Sequence, residues 1–264
     1  MLLLFESISL GQDFFIKLLI LCPAGFLAAM VDSIAGGGGL ISVPAYLMAG
    51  VPPHLTLGTN KFSSTAASFT SSLKFARSGK VSSDLLKFIA PLTLVGAVLG
   101  VTSVLKISQA FLSTLVLVLI LAVGLYTVFS KNIGLEDKFK GLTKKNIFLG
   151  MILALSLGFY DGFFGPGTGS FLIFGLISIF GFDFVKASGN GKVLNFISNI
   201  TSLVMFALNG QINYMLGIPV AICMIFGARI GTVMALKRGA KLIKPIFIAM
   251  SLGVAIKMLY QMIF

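Results

Sequence analysis

Ten apolar segments fill this chain almost end to end, and that pattern leaves few folds open. They fall at about residues 14 to 34, 39 to 50, 58 to 76, 85 to 105 and 111 to 129 (A to E). The second set lies at 147 to 163, 169 to 181, 190 to 208, 217 to 236 and 245 to 263 (A′ to E′). Only 11% of the 264 residues are charged and 57% are hydrophobic, where a soluble domain carries about 25% charged residues. A transmembrane helix needs roughly 20 apolar residues. The expected fold is therefore an all-α polytopic membrane protein, a single membrane domain over 1–264 with no sizeable soluble part. B and B′ are shorter, reaching only about 20 Å at 1.5 Å per residue against a hydrocarbon core of roughly 30 Å. They read as half-helices, which leaves about eight full spans.

Each short segment follows a glycine-rich break that should not continue a helix: Gly36-Gly37-Gly38-Gly39 before B, and Gly165-Pro166-Gly167-Thr168-Gly169 before B′. The breaks belong to a repeat. Asp32, Gly36 and Gly38 match Asp161, Gly165 and Gly167 at an offset of 129, and from Lys61, which pairs with Lys192, the offset becomes 131. Gly96 and Gly100 then match Gly227 and Gly231, and Lys106 matches Lys237. A first repeat over 14–129, a linker over 130–146 and a second repeat over 147–264 follow from a duplicated unit with one loop insertion.

Basic residues outnumber acidic ones 20 to 8, a net charge of +12. They cluster at Lys74 to Lys87, at Lys131 to Lys145 and at Lys237 to Lys244, and such clusters mark cytoplasmic loops. The loop at 205 to 218, the counterpart of 74 to 87, has no charge, and the turn near Lys106 is nearly neutral where 237 to 244 is basic. Equivalent loops on opposite sides make the repeats inverted, a plan that secondary transporters share. Both termini then lie outside and the linker is cytoplasmic. Met1 to Gln12 lacks the basic start of a cleaved signal peptide, so the first helix is expected to be mature. Nucleic acid is not an expected partner, because no basic helix or stacking motif accompanies the charge.

The breaks are also the first candidate site. Backbone N–H groups at the start of a half-helix carry about half a positive charge and bind anions. Gly36, Gly37, Gly38 and Gly39 with Gly165, Gly167, Thr168 and Gly169 are therefore candidates for substrate binding, with hydroxyls from Ser42, Thr168 and Ser170; glycines that serve only close helix packing are the competing reading. The second site lies at Asn60 and Lys61, opening C, and Asn190 and Lys192, opening C′. Below them run polar stripes, Thr65, Ser68 and Ser72 in one half and Asn195, Asn199 and Ser202 in the other. A cation inside a membrane faces a pathway or a partner; the competing reading is that both lysines, one turn into their helices, snorkel to the interface.

Asp32 and Asp161 have three open roles: proton coupling, pairing with the lysines, or capping the following half-helix. Arg229 lines the pathway or satisfies a local backbone end, and His54 reads as a loop residue. Cys22 and Cys223 form no metal or disulfide motif. No HExxH, nucleophile elbow or carboxylate cluster supports an enzyme, and Gly189 to Val193 lacks the Ser/Thr of a P-loop. No metal and no cofactor is expected.

The stretches Asp32 to Leu40, Pro44, Leu57 to Lys61 and Phe75 to Gly79, with Gly158 to Gly169 and Ala187 to Lys192 in the second half, resemble the sulfite exporter TauE/SafE family, its YfcA-like branch in particular. The resemblance covers nearly the whole chain. It implies a bacterial inner-membrane permease for sulfite, sulfonates or related organosulfur anions, with about eight spans. The expected function is a secondary transporter of small anions, with proton coupling as one option. A passive ion channel and a membrane protein without transport activity are the rivals.

Overall fold

The computed structural model describes residues 2–112, 114–116, 118–119, 137–139 and 141–238, with side chains described from Asp13 to Lys237. The elements are helices: α1 (Leu2–Ala35), α2 (Gly39–Met48), α3 (Pro53–Arg77), α4 (Ser83–Val104), α5 (Lys144–Phe163), α6 (Thr168–Phe180), α7 (Phe184–Leu208) and α8 (Tyr214–Arg238). Residues 109–112, 114–116 and 118–119 are also helical. The rest of segment E, all of E′ and the basic loop beyond Arg238 lie outside the described residues.

Among the described residues five stretches are long and apolar enough to cross a membrane: Asp13–Ala35, Ser83–Val104, Lys144–Phe163, Phe184–Leu208 and Tyr214–Lys237. The short helices α2 and α6 have 10 and 13 residues, as the half-helix reading expects. Large apolar side chains such as Leu19 and Met215 are 75% and 71% exposed, while Lys61, Thr65, Ser68 and Asn199 are buried. That is the polarity of a body whose outer surface meets lipid and whose interior holds the polar groups.

Helices α3 and α7 start earlier than the apolar runs imply, at Pro53 rather than 58 and at Phe184 rather than 190. Pro53 stands in the first turn, where its missing N–H costs nothing. Asp183 caps α7 by accepting from the Val185 and Lys186 N–H groups at 2.8 and 2.9 Å. The polar residues that hide these starts, Thr56 and Thr59 in α3 and Ser188 and Asn190 in α7, are buried at 1% exposure or less. Lys61 and Lys192 consequently sit two turns inside their helices, not one.

Small residues let the helices interleave. Gly96 and Gly100 of α4 meet Phe159 of α5, and Gly158 and Gly162 of α5 meet Thr93 and Ala97 of α4. Gly227 and Gly231 of α8 lie in the same way on the Phe26 and Met30 carbonyls of α1. Close backbone approach of this kind is how helices pack where lipid supplies no hydrophobic drive. The fourth segment of each half thus packs against the helix that begins the other.

Helices α3 and α7 are antiparallel, with Gly58 against Phe206 and the Phe69 ring 5.4 Å from that of Phe196. Loop contacts repeat at both ends of this pair. Gly58 packs on the Gln211 carbonyl and Gly189 on that of Lys80. The Thr59 hydroxyl accepts from the Asn213 N–H at 2.9 Å, as the Asn190 side chain accepts from the Ser82 N–H at 2.9 Å. The linker also docks: Asp137 pairs with Lys186 at 3.1 Å, and Lys138 N–H donates to the Gly181 carbonyl at 2.7 Å.

Candidate functional site

Helix α1 stops where Gly36 and Gly37 take φ values of 79° and 89°, and α5 gives way to α6 through Gly165 and Gly167 at 97° and 88°. Side chains other than glycine rarely adopt this left-handed region. The two breaks also touch. A Cβ at Gly36 would collide with the Ser170 backbone nitrogen, and one at Gly39 would lie 2.9 Å from the Pro166 Cα. The Ser170 hydroxyl donates to the Ala35 carbonyl at 3.0 Å, fastening one break to the other.

Four charges gather at this junction and pair across the two halves. Lys61 Nζ meets Asp161 Oδ2 at 2.8 Å, with side-chain exposures of 3% and 2%. Lys192 Nζ meets Asp32 Oδ2 at 2.6 Å, with exposures of 1% and 22%. Burial at this depth rules out snorkelling, which keeps the ammonium in water.

The two pairs differ in their surroundings. Lys61 also donates to Asn199 Oδ1 at 3.1 Å, and the Ser198 hydroxyl donates to the same Asp161 oxygen that Lys61 uses. Asn199 reaches on to Ser68 and Asn195, each at 3.3 Å. Asp32 accepts from the Gly38 N–H at 3.2 Å, so it both caps α2 and pairs with a lysine. The counterparts of Ser198 and Asn199 at the 131-residue offset are Ala67 and Ser68, which cannot build the same network around Asp32.

A cavity of about 30 Å³ lies between these groups, room for about two waters. Its walls include Gly37, Gly38 and Gly39 from the first break and Gly165, Gly167 and Gly169 from the second. Asp32, Asn60, Lys61, Asp161, Asn195 and Asn199 also line it. Asn60 Oδ1 is buried without a hydrogen-bond partner, a state that costs about 1–3 kcal/mol unless something donates to it.

Several expected residues stand back from the wall. Lys192 lies behind Asp32, Gly36 is spent on the contact with Ser170, and Asn190 holds Ser82. The hydroxyls of Ser42 and Thr168 donate to the Gly38 and Gly165 carbonyls at 3.3 and 2.7 Å. Ser64 and Ser198 also belong to the site: Ser64 lines the cavity three residues beyond Lys61, on the face of its polar stripe, whereas Ser198 bonds Asp161 from between stripe positions and carries no such signal in the sequence. His54 lies inside α3, not in a loop, with its Nε2 3.1 Å from the Val104 carbonyl. Arg229 does not line the cavity.

A family model matches residues 21–258. The chain belongs to the sulfite exporter TauE/SafE family. It is 40% identical over 244 residues to a "Probable membrane transporter protein" of Haemophilus influenzae, covering 92% of this chain and 95% of that one. A Sinorhizobium protein of the same description is 37% identical over 249 residues, 94% of this chain and 95% of that one. The YfcA protein of Escherichia coli, also named a probable membrane transporter, is 34% identical over 252 residues, 96% and 90%. No solved structure matches the chain. Family membership and the apolar helices make this an integral, multi-pass membrane protein of a transporter family.

Proposed function

We propose that this protein is a secondary transporter of a small anion, sulfite, a sulfonate or a related organosulfur anion, bound between the two glycine breaks. The observation that carries the reading is the pair of buried lysine–aspartate contacts across the halves, with Lys61, Asp32 and Asp161 lining a cavity where two broken helices converge and Lys192 directly behind Asp32. Charges inside a membrane are costly and mark substrate pathways, and half-helix N-termini facing such a site add positive field for an anion. The substrate class rests on family membership. Neither an enzyme activity nor a cofactor enters this reading.

Proton coupling follows from the charge count. Two lysines and two aspartates cancel, so a bound monoanion leaves an uncompensated charge in a low-dielectric interior unless a proton arrives with it. Asp32 is the proton acceptor in this scheme: at 22% exposure it is the more open carboxylate, and besides Lys192 it takes one backbone N–H. A proton on Asp32 releases Lys192, still charged, to the anion. Asp161, locked by Lys61 and Ser198, holds the helices together. The cavity fits about two waters, so the anion enters as the halves move apart, the motion of alternating access.

The same reading treats 14–129 and 147–264 as inverted repeats, placed in a bacterial inner membrane with both termini outside and the linker in the cytoplasm. The paired loop contacts of Gly58 with Gln211 and Gly189 with Lys80, at opposite ends of α3 and α7, support it. The test uses the purified full-length protein in liposomes, with sulfite and methanesulfonate as probes. Uptake driven by a pH gradient is expected. Flux indifferent to the gradient identifies a channel, and no flux of either probe overturns the reading.

A further inference from the structure

Arg229 breaks the symmetry of the repeat, since its counterpart at the 131-residue offset is Val98, and the central cavity does not use it. It lies on the outer face of α8, exposed, in a stretch apolar enough to cross the membrane. Helices α3 and α8 run side by side in the same direction. Thr59 bonds Asn213, the Phe62 ring is 5.5 Å from that of Tyr214, and further along Leu73 and Lys74 share a pocket with Ile225 and Arg229.

That pocket has a volume of about 530 Å³, and its lining is graded along the helix axis. Toward the C-terminal end of α3 stand the cations Lys74, Arg77 and Arg229; toward the membrane centre stand Phe69, Leu73 and Ile225. None of the three cations makes an ion pair among the described residues, and no carboxylate lines the pocket. An unpaired arginine on a membrane-spanning helix calls for a counter-anion. The basic cluster at 74 to 87 places this end of α3 on the cytoplasmic side, where anionic lipid headgroups lie.

We propose that this pocket binds an anionic phospholipid of the cytoplasmic leaflet, its phosphate held by Arg229, Lys74 and Arg77 and an acyl chain laid along Phe69, Leu73 and Ile225. A free anion explains the cations but not the apolar wall beneath them; a neutral lipid explains the wall but not three unpaired cations. Arginine suits the phosphate because its planar fork presents two parallel donors. The site is independent of the central one, so its fate does not decide whether the protein transports anions.

The test is lipid retention by the purified full-length protein after exchange into detergent holding equal phosphatidylglycerol and phosphatidylcholine. Wild type is expected to retain phosphatidylglycerol preferentially. Arg229→Gln should lower that preference about tenfold, the range of one charge-assisted hydrogen bond, and Arg229→Lys should keep most of it. Lys144→Gln, which removes an exposed cation at the start of α5, should change nothing. Glycerophosphoglycerol, the headgroup without chains, should not displace the lipid. Equal retention of the two lipids by wild type, an equal effect of Lys144→Gln, or displacement by the chain-free headgroup overturns the proposal. Should Arg229→Gln fail to accumulate, the wild-type arms and Arg229→Lys decide it.

Discussion

Lys192 and Asp32, 160 residues apart in the chain, meet at 2.6 Å beside two helix breaks that touch each other. The matching pair, Lys61 with Asp161 at 2.8 Å, runs the opposite way between the halves. Each ion pair therefore ties one half to the other, and neither can form within a single repeat in this structure. In the proposed transport cycle, parting the halves would strain one of them, and the more exposed pair, Lys192 with Asp32, is the one expected to yield.

Removing one member of the deeper pair should be costly. Asp161→Asn leaves Lys61 buried with Asn199 as its remaining described partner, and breaking a buried pair costs about 3–5 kcal/mol. The double variant Lys61→Gln with Asp161→Asn should recover part of that loss, because no uncompensated charge remains. Melting temperatures of the purified variants check this, and a double variant no better than Asp161→Asn alone refutes the pairing.

Asp32→Asn mimics the protonated carboxylate and should behave differently. The folded protein should still bind methanesulfonate, with affinity no longer dependent on pH. In wild type proton uptake accompanies binding, so affinity should rise as pH falls. Isothermal titration at several pH values reads both. Persistent pH dependence in Asp32→Asn assigns the proton elsewhere.

The lysines should carry affinity. A charge-assisted hydrogen bond contributes about 1.5–3 kcal/mol, so Lys192→Gln should weaken anion binding roughly 10- to 100-fold, and Lys192→Arg should rescue only in part because the guanidinium has a different reach and shape. Lys61→Gln should weaken binding as well and also lower stability. Near wild-type affinity in both Gln variants would remove the lysines from the site.

Contact between the breaks can be separated from backbone strain. Gly79 takes φ 67° with nothing within 4 Å of an added Cβ, so Gly79→Ala should cost about 1–2 kcal/mol for left-handed backbone alone. Gly36→Ala combines a similar φ with a collision against the Ser170 backbone, and should prevent accumulation. Comparable expression of the two would mean that the breaks do not bear on one another.

Inversion has its own test. Ser78 and Asn209 are both exposed, each in the turn that closes α3 or α7. In a background lacking Cys22 and Cys223, a single cysteine at Ser78 should label from the cytoplasm and one at Asn209 from outside. Labelling of both from one face would end the inverted-repeat reading.

The membrane class, the two short helices and the glycine breaks before them were legible in the chain, because hydropathy, segment length and glycine placement are local properties read by lipid and by the backbone. The true starts of α3 and α7 were not, since Thr56, Thr59, Ser188 and Asn190 look like loop residues until other helices bury them. Nor could spacing say which lysine meets which aspartate, that Asn190 serves the Ser82 loop, or that Ser198 bonds Asp161. Those partners lie tens to more than a hundred residues away, and only the interleaving of the two halves brings them within hydrogen-bond reach. A membrane interior makes each buried polar group find a partner; which partner it finds depends on how the helices pack.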